Sequence, residues 1–139
     1  MLRMRNEAYQ RMVGHCYDGL PDEACGLLSG PPSMASADGA LVSVTYPTGN
    51  AAASARLYTV EPRDHLRAER DAESRGLEIL GVFHSHTHTV AYPSPTDVAQ
   101  APDPAWHYVL VSLAEEAPVV RSYRIVDGNI AEEPVVLER

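Results

Sequence analysis

The stretch LEILGVF at 77–83 is almost unbroken in apolar side chains, and it leads directly into His84-Ser85-His86-Thr87-His88. A short continuous apolar run of this kind reads as a strand covered on both faces, rather than one with a wet side. HYVLVSL at 107–113 repeats the pattern. ACGLLSG at 24–30 is a third apolar run, held between a Pro-Asp-Glu turn and Gly30-Pro31-Pro32.

Strands covered on both sides need helices. Met4, Ala8, Met12, Val13, Cys16 and Tyr17 recur at spacings of three and four, which predicts a helix over 5–17 closed by Gly19 and Pro21. Glu61-Pro62 opens a polar helix that runs to about Ser74, with Gly76 as its stop. Ser94-Pro95-Thr96-Asp97 has the form of a capping box and starts a short third helix. LVSVTY at 41–46 and RLYTV at 56–60 are read as further strands. VVRSYRIV and IAEEPVV flank Asp127-Gly128, a favoured two-residue hairpin turn. PPSMASADG at 31–39 is an ordinary loop. The sum is an α/β chain with a mixed sheet, expected as one domain over residues 1–139. A chain of this size buries roughly two-thirds of its unfolded surface and needs no disulfide scaffold.

Charge and cysteine content narrow the function. Eleven basic against nineteen acidic residues give a formal charge of −8, which disfavours nucleic acid as a partner. Two cysteines fit a reducing cytoplasm better than a secreted scaffold. MLRMRNEAYQRM has no apolar segment after its arginines, so no signal peptide is expected there. No run is long and apolar enough to span a bilayer, so no membrane partner is expected.

The histidines are the chemical signal. Residues i and i+2 of a strand share a face, so His84 and His86 point the same way with Cβ atoms roughly 6.7 Å apart. Two imidazoles there can lean onto one ion. Spacing alone offers two pairs, 84/86 and 86/88, and prefers the first because the apolar run stops at Phe83. The nearest oxygen donor is Asp97. A catalytic zinc takes three protein ligands and an open position, and the metal lowers the pKa of its water to about 7. Capping alone also accounts for Ser94 and Asp97. A general base is still required, and nineteen acids offer no periodic choice. Glu23 precedes a buried strand and could reach the sheet's end, although a solvated turn charge explains it as simply. Cys25 lies inside a predicted strand, as a small buried residue rather than a thiol-protease nucleophile. A zinc deaminase would need Pro-Cys-x-x-Cys, which the chain lacks.

His84-x-His86, seven residues, then Ser94-x-x-Asp97 resembles the pattern of the JAMM (MPN-plus) zinc metalloproteases, and PDEACGLLSG resembles their glutamate-bearing segment. The five positions agree in identity, spacing and order. The resemblance implies that His84, His86 and Asp97 ligate zinc (Zn2+), and that Glu23 is general base and then general acid. It implies that Ser94 donates to the oxyanion or the metal's water. It also implies a single-domain α/β/α fold, cytidine-deaminase-like, and attack of activated water on an amide carbonyl. One position departs from the pattern: many members carry Pro after the second histidine, where Thr87 and then His88 stand here. His88 is expected to face solvent or substrate.

Within the family, PDEACGLLSG, HSHT, AYPSPTDV, HYVLVS, RSYRIVDG and EEPV look like bacterial peptidases acting on a ubiquitin-like sulfur-carrier protein. Those remove a cysteine from the carrier's C-terminal Gly-Gly. The tail is expected to enter extended, against a strand edge. The alternatives are an isopeptidase for another ubiquitin-like modifier, or a non-catalytic MPN binding module, although such modules lack the ligands that this chain keeps.

Overall fold

The LEILGVF run is the middle of a six-stranded sheet. The computed structural model describes residues 1–32 and 39–139, so the 31–39 loop lies largely outside the described residues. The elements are β1 (Leu2–Arg5), α1 (Asn6–Asp18), β2 (Cys25–Gly30), β3 (Ala40–Val42), β4 (Val44–Thr48), α2 (Pro62–Ser74), β5 (Glu78–His86), α3 (Pro95–Ala99), β6 (His107–Ser112), β7 (Val119–Val126), β8 (Asn129–Glu133) and β9 (Val135–Glu138). The large sheet has the order β4-β2-β5-β6-β7-β8. β5 runs parallel to β6 and antiparallel to β2. A second sheet, β3-β1-β9, is all parallel.

Strand parity sorts the core into two layers, broken once in β5, where the register shift skips Leu80 and puts it on the same face as Phe83. Leu28, Leu80, Phe83, Val109 and Val111 face Ala8, Met12 and Cys16 of α1, together with Leu2 and Met4 of β1. Leu27, Val82, Tyr108, Leu110, Tyr123 and Ile125 face the other way and cluster with Ala68 of α2. The sheet is thus covered on both faces, as its unbroken apolar strands require. α2 is highly polar, and its buried positions are the small residues Ala68 and Ala72. Its start is fixed by the Glu61 side chain, which accepts from the Asp64 N–H at 2.9 Å. Its end turns at Gly76, whose φ of +71° a residue with a Cβ rarely adopts. Among the described residues no helix is long and apolar enough to cross a membrane.

Three expectations are corrected. LVSVTY is not one strand: Ser43 separates β3 from β4, and the two lie in different sheets. The switch occurs where β2 shifts register between Leu28 and Ser29. There a Cβ on Gly30 would collide with the Leu41 carbonyl, so only glycine lets the chains cross. RLYTV is a loop carrying a single bridge, Val60 to Asn50. Most of its backbone bonds go to side chains: Asn50 Oδ1 accepts from the Thr59 N–H and Nδ2 donates to the Leu57 carbonyl, while Ser54 Oγ accepts from the Arg56 and Leu57 N–H groups. Met4 belongs to β1, a strand whose four residues are too few to show a period of two beside the helix that follows.

Candidate metal centre

β5 is longer than its apolar run. It continues through His86, so both imidazoles leave from strand rather than loop. They emerge on the α2 side, the face of Val82, at the carboxyl ends of the parallel pair β5 and β6, where open α/β sheets commonly hold ligands. Both are buried, and their Nε2 atoms lie 3.2 Å apart.

Asp97 reaches them from α3. Ser94 is the N-cap and forms a complete capping box with Asp97: Ser94 Oγ accepts from the Asp97 N–H, and Asp97 Oδ2 accepts from the Ser94 N–H at 2.8 Å. The same Oδ2 lies 3.2 Å from His84 Nε2 and 3.1 Å from His86 Nε2. His86 Nδ1 is 2.8 Å from the Val90 carbonyl, which can only accept, so Nδ1 carries the proton and Nε2 is left to face the cluster. Tyr58 stacks on His84 with ring centroids 4.1 Å apart and planes 16° from parallel.

The donor set fits zinc. A tetrahedral ion bound at about 2.0–2.1 Å holds its ligand atoms on edges of about 3.3 Å. The mutual separations of the His84, His86 and Asp97 atoms are 3.1–3.2 Å. They form a metal-competent group of side chains among the described residues. Burial would raise the Asp97 carboxyl, but hydrogen bonds from His84 and His86 hold it well below the usual carboxylate range. Burial lowers His84. For His86 burial acts the same way, but the hydrogen bonds to Asp97 and Val90 outweigh it and raise the group.

Glu23 stands beside this group by register. Cys25 pairs with His84 across β2 and β5, and continuing that register puts Glu23 opposite His86. The alignment is pinned by the Ala24 N–H donating to Ser85 Oγ at 2.9 Å and the Ser85 N–H donating to the Ala24 carbonyl at 2.9 Å. Glu23 is 6% exposed, and its Oε1 has no hydrogen-bond partner among the described residues. Burial pushes its carboxyl up to about 7; the charge on His86 opposes this and that on Asp97 adds to it. Glu23, His86 and Ser94 line one cavity of ≈ 360 Å³, with Ala55, Arg56, Thr87, His88 and Thr89 completing the wall. His88 lies beyond β5, exposed and outside the converging set. Cys25 is buried, and burial pushes its thiol up to about 11, against nucleophile behaviour at neutral pH.

Sequence reasoning missed Tyr58, Val90 and the 50–60 loop. No periodicity marks them, since each acts through one backbone or ring contact. The Glu23 N–H donates to the Ser54 carbonyl at 2.8 Å, and Asn50 Nδ2 donates to the Glu23 carbonyl at 2.9 Å, so this loop holds the glutamate in place.

A family model described as prokaryotic homologues of the JAB domain matches residues 5–126. The chain is 40% identical over 136 residues to the CysO-cysteine peptidase of Mycobacterium tuberculosis, covering 97% of this chain and 90% of that one. It is 29% identical over 116 residues to the desampylase of Haloferax volcanii, covering 80% of each. A solution structure of a Desulfitobacterium hafniense protein superposes with a TM-score of 0.90 at 36% identity, covering 99% of this chain and 93% of that one.

Proposed function

The chain belongs to the prokaryotic homologues of the JAB domain, and from that membership we propose that it is a zinc-dependent peptidase. Its substrate in this reading is the amide between the C-terminal Gly-Gly of a ubiquitin-like sulfur carrier and an attached cysteine. The products are the carrier carboxylate and free cysteine. The observation that carries the reading is the convergence of three candidate ligand atoms beside a buried, unpartnered glutamate that shares a cavity with one of them, His86. The mycobacterial relative, named for CysO-cysteine, supports the choice of leaving group.

His84, His86 and Asp97 would hold the zinc, which when bound polarises an amide carbonyl and acidifies its water. Glu23 takes a proton from the attacking water and returns it to the departing amine nitrogen as the C–N bond breaks. A carboxyl pushed up to about 7 is suited to both transfers near neutral pH. Its burial keeps bulk water from competing for the proton. Ser94 Oγ already accepts from the Asp97 N–H, which leaves its hydroxyl hydrogen free to donate to negative charge developing on the carbonyl oxygen. The Val90 carbonyl and the Tyr58 ring keep the two imidazoles in the ligating orientation.

The test is incubation of the purified protein with CysO-cysteine and, separately, with a lysine isopeptide of the same carrier, followed by intact mass spectrometry. Loss of one cysteine residue from the first supports the reading. Cleavage of the isopeptide alone would replace it with a deconjugating isopeptidase.

A further inference from the structure

The wall of the cavity that holds Glu23 includes a basic residue that the reaction described above does not use. Among the described residues, Arg56 is the only Lys or Arg that lines it. The chain around Arg56 is tied down on both sides. The Ser54 carbonyl accepts from the Glu23 N–H at 2.8 Å, and the Leu57 carbonyl accepts from Asn50 Nδ2 at 3.0 Å. Thr87 Oγ1 donates to the Ala55 carbonyl at 3.4 Å, and the Arg56 N–H itself donates to Ser54 Oγ at 3.0 Å. Asn50 is anchored in turn to the Glu23 carbonyl. The Arg56 backbone is therefore held in register with the backbone of Glu23. Its guanidinium nevertheless has no hydrogen bond or ion pair among the described residues, and it does not pair with Glu23 although both line one cavity.

We propose that Arg56 binds the free α-carboxylate of the departing amino acid and so restricts the site to a residue at the very end of its carrier. This rests on the peptidase reading above. In an amino-acid leaving group the carboxylate carbon lies only about 2.5 Å from the amine nitrogen. Glu23 must reach that nitrogen, so the carboxylate has to enter the same cavity. Glu23 and Asp97 already place acids beside it, in a chain of formal charge −8. Glu23 and Asp97 offset the charge of the zinc that they would flank, so a further carboxylate leaves buried negative charge uncompensated unless a cation of its own meets it. A guanidinium offers a planar pair of donors matched to a carboxylate. A lysine isopeptide presents methylenes at this point instead, and the guanidinium would be left with nothing to bind.

The test uses CysO-cysteine with its free C-terminal acid and the same protein ending in a cysteine carboxamide. Wild type is expected to cleave the acid with a kcat/KM about tenfold above the amide, the size of a charge-assisted contact. R56Q should lower kcat/KM for the acid by about that factor and leave the amide unchanged, and R56K should restore part of the loss. R63Q, at an exposed position on α2, should change neither. Calorimetric binding of both adducts to E23Q and to E23Q/R56Q gives the same comparison without turnover. A wild-type acid-to-amide ratio in R56Q overturns the role of Arg56 and leaves the peptidase reading standing. Cleavage of a lysine isopeptide with neither cysteine adduct cleaved or bound overturns both.

Discussion

Ser94 and Asp97 hold each other reciprocally: the Ser94 N–H donates to Asp97 Oδ2 at 2.8 Å, and the Asp97 N–H donates to Ser94 Oγ at 3.1 Å. One capping box therefore starts a helix and aims the carboxylate at two imidazoles. S94A removes the cap and the hydroxyl donor together. It should cost about 1 kcal/mol of stability and lower kcat on the order of 10²-fold, as loss of an oxyanion donor does. S94T should keep most of both. Thermal unfolding and steady-state rates on the three proteins separate the effects, and an S94A enzyme with wild-type kcat would reduce Ser94 to a cap.

The three-ligand site should hold about one zinc per chain. Removal with a chelator should abolish hydrolysis, and zinc added back should restore it. Free zinc at a hundred times its Kd should stabilise the fold by about 2.7 kcal/mol over the metal-free chain. H84A and D97A should bind zinc substoichiometrically by elemental analysis. Full activity in a metal-free preparation would end the zinc reading.

Glu23 must be ionised to accept a proton, so kcat/KM should rise with pH and level off. The metal-free carboxyl titrates at about 7, and a bound dication draws it down, placing the limb at or below that pH. E23Q should keep its zinc, lose on the order of 10²–10⁴-fold in rate and lose this limb. Stability runs the other way. The folded chain binds the extra proton between the unfolded value of 4.5 and about 7, so the metal-free protein loses up to about 3 kcal/mol as pH rises through that window. Metal-free E23Q should unfold at a higher temperature than wild type at pH 8 and should converge with it near pH 4. An unchanged melting temperature at pH 8 would show that Glu23 is not desolvated.

The far end of β6 holds a second buried polar group. His107 Nδ1 lies 2.6 Å from Glu133 Oε2, which also accepts from Ser122 Oγ at 2.9 Å. Burial would raise the Glu133 carboxyl, but the His107 hydrogen bond and charge outweigh it and lower it. Its contribution to stability is therefore complete above the unfolded value of 4.5 and is lost as pH falls through the lower folded value. E133A should cost about 1–3 kcal/mol at pH 7 by urea unfolding, with less loss at pH 3, because it leaves His107 and Ser122 without their buried acceptor. Activity in the protein that remains folded should be normal, since this group lies away from the cavity.

Cys16 and Cys25 are both buried, with thiols pushed up to about 12 and about 11. Iodoacetamide at pH 8 should leave both unmodified in the native protein and label both in urea. Rapid labelling of either in the folded state would contradict their burial.

The candidate site was legible where local rules suffice. A period of two puts His84 and His86 on one face, and a Ser-x-x-Asp before an apolar turn caps a helix. Both follow from backbone geometry alone. The unbroken runs at 77–83 and 107–113 likewise announced strands covered on both faces. Residues such as Leu41 and Val44 were ambiguous, because alternation does not show which sheet a strand joins. β1 gains meaning only from pairing with β3 and, across nearly the whole chain, with β9.

Sequence alone determined the candidate ligand types, the shared strand face of His84 and His86 and the capped start of α3, since each depends on residues a few positions apart. Tertiary structure decided the rest. The β2–β5 register sets Glu23 against His86, burial lifts its carboxyl to about 7, and the Asn50–Val60 loop packs beside it with Tyr58 on one imidazole and Arg56 on the cavity wall. Proton affinity and cavity shape depend on which distant groups exclude water from a side chain, and no local pattern encodes that.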